Sequence, residues 1–154
     1  FFLERKKTGV LPITHPDMTR FWITLEQGVS LVLGALQWMH GGEIFVPKIP
    51  SMKVIDLARA IAPECRLEMV GIRPGEKMHE VMIPGDESRK TYEYDTHYVI
   101  GPTFHEWTVF DHAANGGRLV SDGFNYSSDA NDHWLTVDEL REMAGQPAAA
   151  VPGV

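Results

Sequence analysis

A single cysteine, Cys65, stands in a chain of 154 residues. One thiol cannot build an internal disulfide framework or a multi-cysteine metal cluster, which fits a reducing compartment. Cys65 is expected to be a small core residue. Basic charge is scarce too: 14 Lys and Arg face 21 Asp and Glu, a formal net charge of -7. General nucleic-acid affinity needs many cations to neutralise phosphates, so any phosphate site here must be local. No apolar run approaches the roughly 18 residues of a membrane span, and the start, "FFLERKKTGV", lacks the long apolar region of a secretion signal. The expectation is a soluble, cytoplasmic protein with no nucleic-acid and no membrane partner. The chain begins at Phe1 without an initiator methionine, which leaves either processing or derivation from something longer.

The usual catalytic signatures are also missing. There is no G-x-G-x-x-G or G-x-x-G-x-x-G turn, no G-K-[ST] phosphate loop and no Tyr followed four residues later by Lys. The seven histidines, at 15, 40, 79, 97, 105, 112 and 133, never form H-x-H or H-E-x-x-H, and His79-Glu80 is only half of the latter. Each is expected to be a surface or packing residue, and no metal is expected.

What is present is an ordinary globular composition, 44% hydrophobic and 23% charged. The stretch "ITLEQGVSLVLGALQWMHGG" reads as a helix, with Thr24 and Gln27 in a capping-box pattern and Leu25, Val29, Val32, Leu33, Leu36 and Met39 at helical spacing. A strand "EIFVPK" follows. Ser51 is then expected to cap a helix carrying Val54, Leu57, Ala58 and Ile61, stopped by Pro63. "RLEMVGI" reads as a strand, "EKMHEVMI" as a short helix with Met78, Val81 and Met82 on one face, and "TYEYD" with "HYVIG" as a hairpin. Beyond Pro102 the chain is turn-rich and is expected to wrap over the rest; Thr136 and Glu139 cap a last helix. Phe21, Trp22 and Trp38 are expected in the core, and Trp107 and Trp134 as anchors of the wrap. Strands interleaved with helices of this length indicate an α/β architecture. The partition expected is a binding region over 1–101, a wrap with helix over 102–144 and a tail over 145–154.

Two arginines are placed on rigid backbone. Arg20 in "DMTRFWIT" precedes a bulky apolar segment, and Arg73 in "IRPGEK" precedes a Pro-Gly turn. A guanidinium fork suits phosphate oxygens, two converging forks suit a pyrophosphate, and Glu76 can accept from neighbouring sugar hydroxyls. The alternative is a pair of structural arginines bonded to carboxylates such as Glu26 or Glu76.

The segments "LPITHPDMTRFWITLEQGV", "MHGGEIFVPKIPSMK", "VGIRPGEKMHEVMIP" and "YSSDANDHWL" together closely resemble the C-terminal half of the inverting UDP-N-acetylglucosamine 4,6-dehydratases of the extended short-chain dehydrogenase/reductase superfamily. The match runs from Phe1 to about Leu140. It implies the C-terminal, substrate-binding part of a Rossmann-type enzyme, with the NADP-binding half and every catalytic residue upstream of Phe1. The fragment alone would bind no cofactor and be inactive. The resemblance further implies that Arg20 and Arg73 clamp the diphosphate of a UDP-sugar, that Glu76 meets the ribose, and that Pro12, Ile13 and Thr14 line the uracil. The complete enzyme would oxidise the sugar at C4 with NADP, eliminate water across C5 and C6, and return hydride to C6 with inversion at C5. A homo-oligomer is implied as well. Two other readings stay open: a UDP-sugar epimerase of the same superfamily, and a stand-alone nucleotide-sugar binding module. If a Rossmann half is missing, the helices starting near Thr24 and Ser51 should present uncovered apolar faces.

Overall fold

Alternation along Val10–Ile13 sets the first layer: Leu11 and Ile13 are fully buried while Val10 and Pro12 are half-buried, the period-two pattern of a strand with one covered face. The computed structural model describes residues 1–103 and 110–145. In chain order its helices are α1 (Phe2–Arg5), α2 (Leu25–Trp38), α3 (Val54–Ile61) and α4 (Val137–Met143). Its strands are β1 (Val10–Ile13), β2 (Thr19–Phe21), β3 (Ile44–Pro47), β4 (Ser51–Lys53), β5 (Arg66–Met69), β6 (Val81–Ile83), β7 (Thr91–Glu93), β8 (His97–Ile100), β9 (Arg118–Leu119) and β10 (Tyr126–Ser127). The α/β expectation holds.

The chain divides into two units. The first comprises Phe1–Phe21, Pro50–Glu80 and Asn131–Val154, the second Trp22–Ile49 and Val81–Ala130, so the region expected over 1–101 contributes to both. In the first unit β1 pairs in parallel with β5, and β2 pairs antiparallel with β4 so that Arg20 stands opposite Met52. Its core gathers Leu11, Ile13, Ala58, Ile61, Ala62 and Cys65, with Phe2, Leu57, Leu67 and Ala144 packed around it. Cys65 is therefore the buried packing residue that was expected. The α4 capping box forms as read, Thr136 and Glu139 each accepting from the other's backbone N–H, and α4 packs on α3.

Ser51 does not cap α3. It lies in β4, the N-cap position is Lys53, and the Ser51 hydroxyl instead accepts a 3.0 Å bond from Asn131 Nδ2. The expected helix over "EKMHEVMI" is also absent: residues 76–80 are irregular and Val81–Ile83 is a strand. The cause is tertiary, because the carbonyls of Lys77 and Met78 are taken by donors from β2 and cannot build a helical ladder.

In the second unit β3, β8, β7 and β9 form an antiparallel sheet in that order, which includes the expected β7–β8 hairpin, and β10 pairs with β6. The α2 capping box of Thr24 and Gln27 is complete. The chain after Pro102 thus joins existing layers through β9, β10 and α4. Trp134 is half-buried with its indole N–H donated to Asn131, while Trp107 lies outside the described residues. Trp38 is 42% exposed, not core; one ring face lies against Gly34, where an added Cβ would sit 2.5 Å from the indole. Phe21 and Trp22 are half-buried.

The apolar stripe of α2 is uncovered: Leu25 is 79% exposed and Leu36 64%, with Val29, Val32 and Leu33 also exposed. By contrast α3 buries Ala58, Ala60 and Ile61. Apolar surface of this kind drives association in water. The isolated chain is expected to self-associate in sedimentation as concentration rises, and Leu33→Glu to shift it toward monomer. A wild-type chain that stays monomeric at high concentration would contradict this.

The second unit also holds a titratable aromatic cluster. The His97 imidazole is stacked between Trp38 and Tyr94, at 4.6 and 5.0 Å between ring centroids, and His112 Nδ1 shares a 2.9 Å hydrogen bond with the Tyr94 hydroxyl. Burial pushes both imidazoles below their ordinary value, helped at His97 by Lys48 and opposed at His112 by Glu43. The unfolded chain therefore binds these protons more readily than the folded one, so stability is level above a pH of about 6.5 and falls as pH drops below it. Melting temperatures between neutral and mildly acid pH should show this fall, and His97→Gln should flatten part of it. A melting temperature independent of pH in that window would contradict the account.

Candidate functional site

The turn that carries Arg73 is fixed by its own residues. Pro74 restricts one φ, Gly75 takes a φ of +81° that favours glycine, and the Glu76 N–H closes the turn onto the Arg73 carbonyl at 3.0 Å. The Glu76 carboxylate adds a second lock, with Oε2 accepting from the Arg73 N–H at 3.2 Å. Glu76 is half-buried, whereas Arg73 is exposed. The Arg73 guanidinium makes no hydrogen bond or ion pair among the described residues.

Arg20 is placed differently. Its guanidinium donates to the carbonyls of Thr19 (2.6 Å), Lys77 (2.9 Å) and Met78 (3.1 Å), and Nε lies 3.6 Å from Glu80 Oε1. Beside it the Thr19 N–H donates to the Met78 carbonyl at 3.1 Å. The fork thus ties β2 to the segment after the Pro-Gly turn. Its partners are backbone carbonyls and Glu80, not the carboxylates Glu26 or Glu76 that the structural alternative named.

A cavity of about 300 Å³ in the first unit is lined by Pro12, Thr14, Arg20, Arg73 and Glu76, together with Phe1, Phe2, Met18, Val54 and Val70. Five of the six residues singled out from the sequence therefore meet at one hollow. Ile13 does not: its side chain is fully buried in the core and its carbonyl accepts from the Val70 N–H at 2.9 Å. The reason is the pleat, which sends Pro12 and Thr14 to one face and Ile13 to the other. A second hollow of about 500 Å³ adjoins it, sharing Phe1, Pro12, Val70 and Arg73 and adding Arg5 and Thr8. Sequence reasoning missed the apolar wall of Met18, Val54 and Val70, whose only sequence signal was their place beside strand ends.

Residues 1–102 match the family model described as polysaccharide biosynthesis protein. The chain belongs to that family. Among its relatives, the UDP-N-acetylglucosamine 4,6-dehydratase (inverting) of Campylobacter jejuni subsp. jejuni serotype O:2 is 49% identical over 86% of this chain and 41% of its own length. A UDP-glucose 4-epimerase of Rickettsia bellii is 29% identical over 93% of this chain and 43% of its own. The chain thus spans about two fifths of the length of these curated relatives. The crystal structure of Pen from Bacillus thuringiensis superposes with a TM-score of 0.74 at 27% identity, covering 92% of this chain and 42% of that one.

Among the described residues no group of three or more His, Cys, Asp or Glu is arranged to hold a metal, and no helix is long and apolar enough to cross a membrane.

Proposed function

We propose that this family member is the nucleotide-binding part of an NADP-dependent, inverting UDP-N-acetylglucosamine 4,6-dehydratase, a cytoplasmic homo-oligomer that serves surface-glycan biosynthesis. The observation that carries the reading is the free guanidinium of Arg73 on the wall of a cavity shared with Arg20, Glu76, Pro12 and Thr14. The 49% identity to a protein of that activity, against 29% to an epimerase, supports the substrate and the reaction class.

Each residue then has a task. Arg73 offers a planar fork of donors to two diphosphate oxygens, and Arg20, with three of its donors on backbone carbonyls, adds positive charge beside them. Glu76 keeps Oε2 on the turn and leaves Oε1 to accept from a ribose hydroxyl. Pro12 and Thr14 flank the base. Binding energy gained on the non-reacting diphosphate serves to hold the sugar in register for chemistry carried out by groups outside this chain.

NADP is assigned to the part of the longer protein outside this chain, a reading that the helix N-termini among the described residues support. The N-termini of α2 and α4 are closed by capping boxes, and α3 follows β4 directly without a glycine-rich turn. A cofactor pyrophosphate needs an open helix N-terminus of that kind. Calorimetric titration should therefore give saturable UDP binding and no NADP binding by this chain, which alone is inactive. Absence of UDP binding would remove the reading, and saturable NADP binding would overturn the division of labour.

An epimerase is the second reading, supported by the Rickettsia relative that spans 93% of this chain. Product analysis of the longer protein separates them: the dehydratase releases water from UDP-N-acetylglucosamine, and an epimerase returns an isomer of equal mass.

A further inference from the structure

His79 has no task in the site described above, yet it is tied to it. Its Nδ1 lies 2.8 Å from the Thr19 hydroxyl, which is only 3% exposed at the start of β2, sixty residues away in sequence. The bond sits in the middle of a short seam. On one side the Lys77 and Met78 carbonyls receive the Arg20 guanidinium, and on the other Glu80 faces Arg20 Nε. Immediately before the seam comes the Arg73–Glu76 turn, with both of its ends lining the cavity.

The turn has its own internal hydrogen bonds, so its shape is local, but those bonds do not say where it points. Its direction is set by what holds the residues on either side, β5 and Val70 before it and residues 77–80 after it. Carbonyl contacts restrain the backbone of residues 77 and 78. The Thr19–His79 bond ties a side chain of this segment to a buried side chain of β2. Losing it would remove one of the restraints on the far end of the turn.

We propose that His79 is a positioning residue, which through Thr19 aims the Arg73–Glu76 turn into the cavity. This rests on the reading of that cavity as a diphosphate site, so the test reads both. UDP affinity by calorimetry, melting temperature and hydrogen exchange of the amides of residues 73–80 are measured on the wild-type chain, His79→Ala and His79→Asn. Asparagine presents an amide where Nδ1 stands and, after rotation, either donates to or accepts from Thr19.

The expected result is a weakening of UDP binding by about tenfold in His79→Ala, the effect of one well-formed hydrogen bond. The Glu76 amide should lose protection while the core of the first unit keeps its own, and His79→Asn should regain most of both. A merely structural role predicts a lowered melting temperature with protection lost evenly and UDP affinity of the folded protein unchanged, which would overturn the proposal. Equal loss in His79→Ala and His79→Asn would overturn it too. If the wild-type chain binds no UDP, the diphosphate reading falls, and exchange alone decides: local loss at residues 73–80 restored by asparagine supports the aiming role, and unchanged exchange refutes it.

Discussion

Arg73→Ala is expected to raise KM for the UDP-sugar in the longer protein by about tenfold to a hundredfold per charged hydrogen bond lost, with melting temperature unchanged. The guanidinium contributes nothing to the fold among the described residues, so its removal leaves no buried partner unpaired. Because the diphosphate does not react, the loss falls mainly on KM, with a smaller fall in kcat if the sugar is misplaced. Arg73→Lys should recover only part, since an ammonium keeps the charge and loses the fork. Arg20→Ala should behave differently, lowering melting temperature as well, because the contacts to three carbonyls and to Glu80 are lost. Equal stability losses in both variants would contradict this separation.

Ile13→Ala should be the converse case. The side chain is fully buried among Leu11, Ala58 and Ile61, and its truncation should cost about 2–5 kcal/mol of stability. UDP affinity of the protein that remains folded should stay near wild type, because the cavity is lined by the neighbours on the opposite face of the strand. Chemical denaturation and calorimetry on the same variant check both halves. A stable Ile13→Ala protein with lost UDP affinity would place Ile13 in the site after all.

Ile13 also shows where sequence reading stops. The resemblance groups Pro12, Ile13 and Thr14 on one edge, but a strand cannot turn three successive side chains to one face. Capping boxes were legible because they are local: Thr24 with Gln27 and Thr136 with Glu139 each close within three residues, and both form. The hairpin of β7 and β8 was legible for the same reason. The stretch from Glu76 to Ile83 was not, because Met78, Val81 and Met82 imitate helical spacing while the backbone is captured by Arg20 and Thr19 from far away in the chain. The Arg20 alternative, phosphate ligand or structural tie, could not be settled by spacing, since its hydrogen bonds go to carbonyls, which carry no sequence signature. Exposure of the α2 stripe was foreseen from its periodicity together with the family resemblance, and Trp38 was not, because the close approach to Gly34 and the stack on His97 depend on tertiary geometry.

The account rests on contact between Arg73 and a diphosphate, and a thermodynamic cycle isolates that contact. UDP and uridine are titrated calorimetrically into the wild-type chain and into Arg73→Ala, so that the preference for UDP over uridine is read in each. The account predicts a clear preference in the wild type that collapses by about tenfold or more in the variant, with uridine affinity almost unchanged. A preference of equal size in both proteins would show that the diphosphate is bound elsewhere and would contradict the central claim.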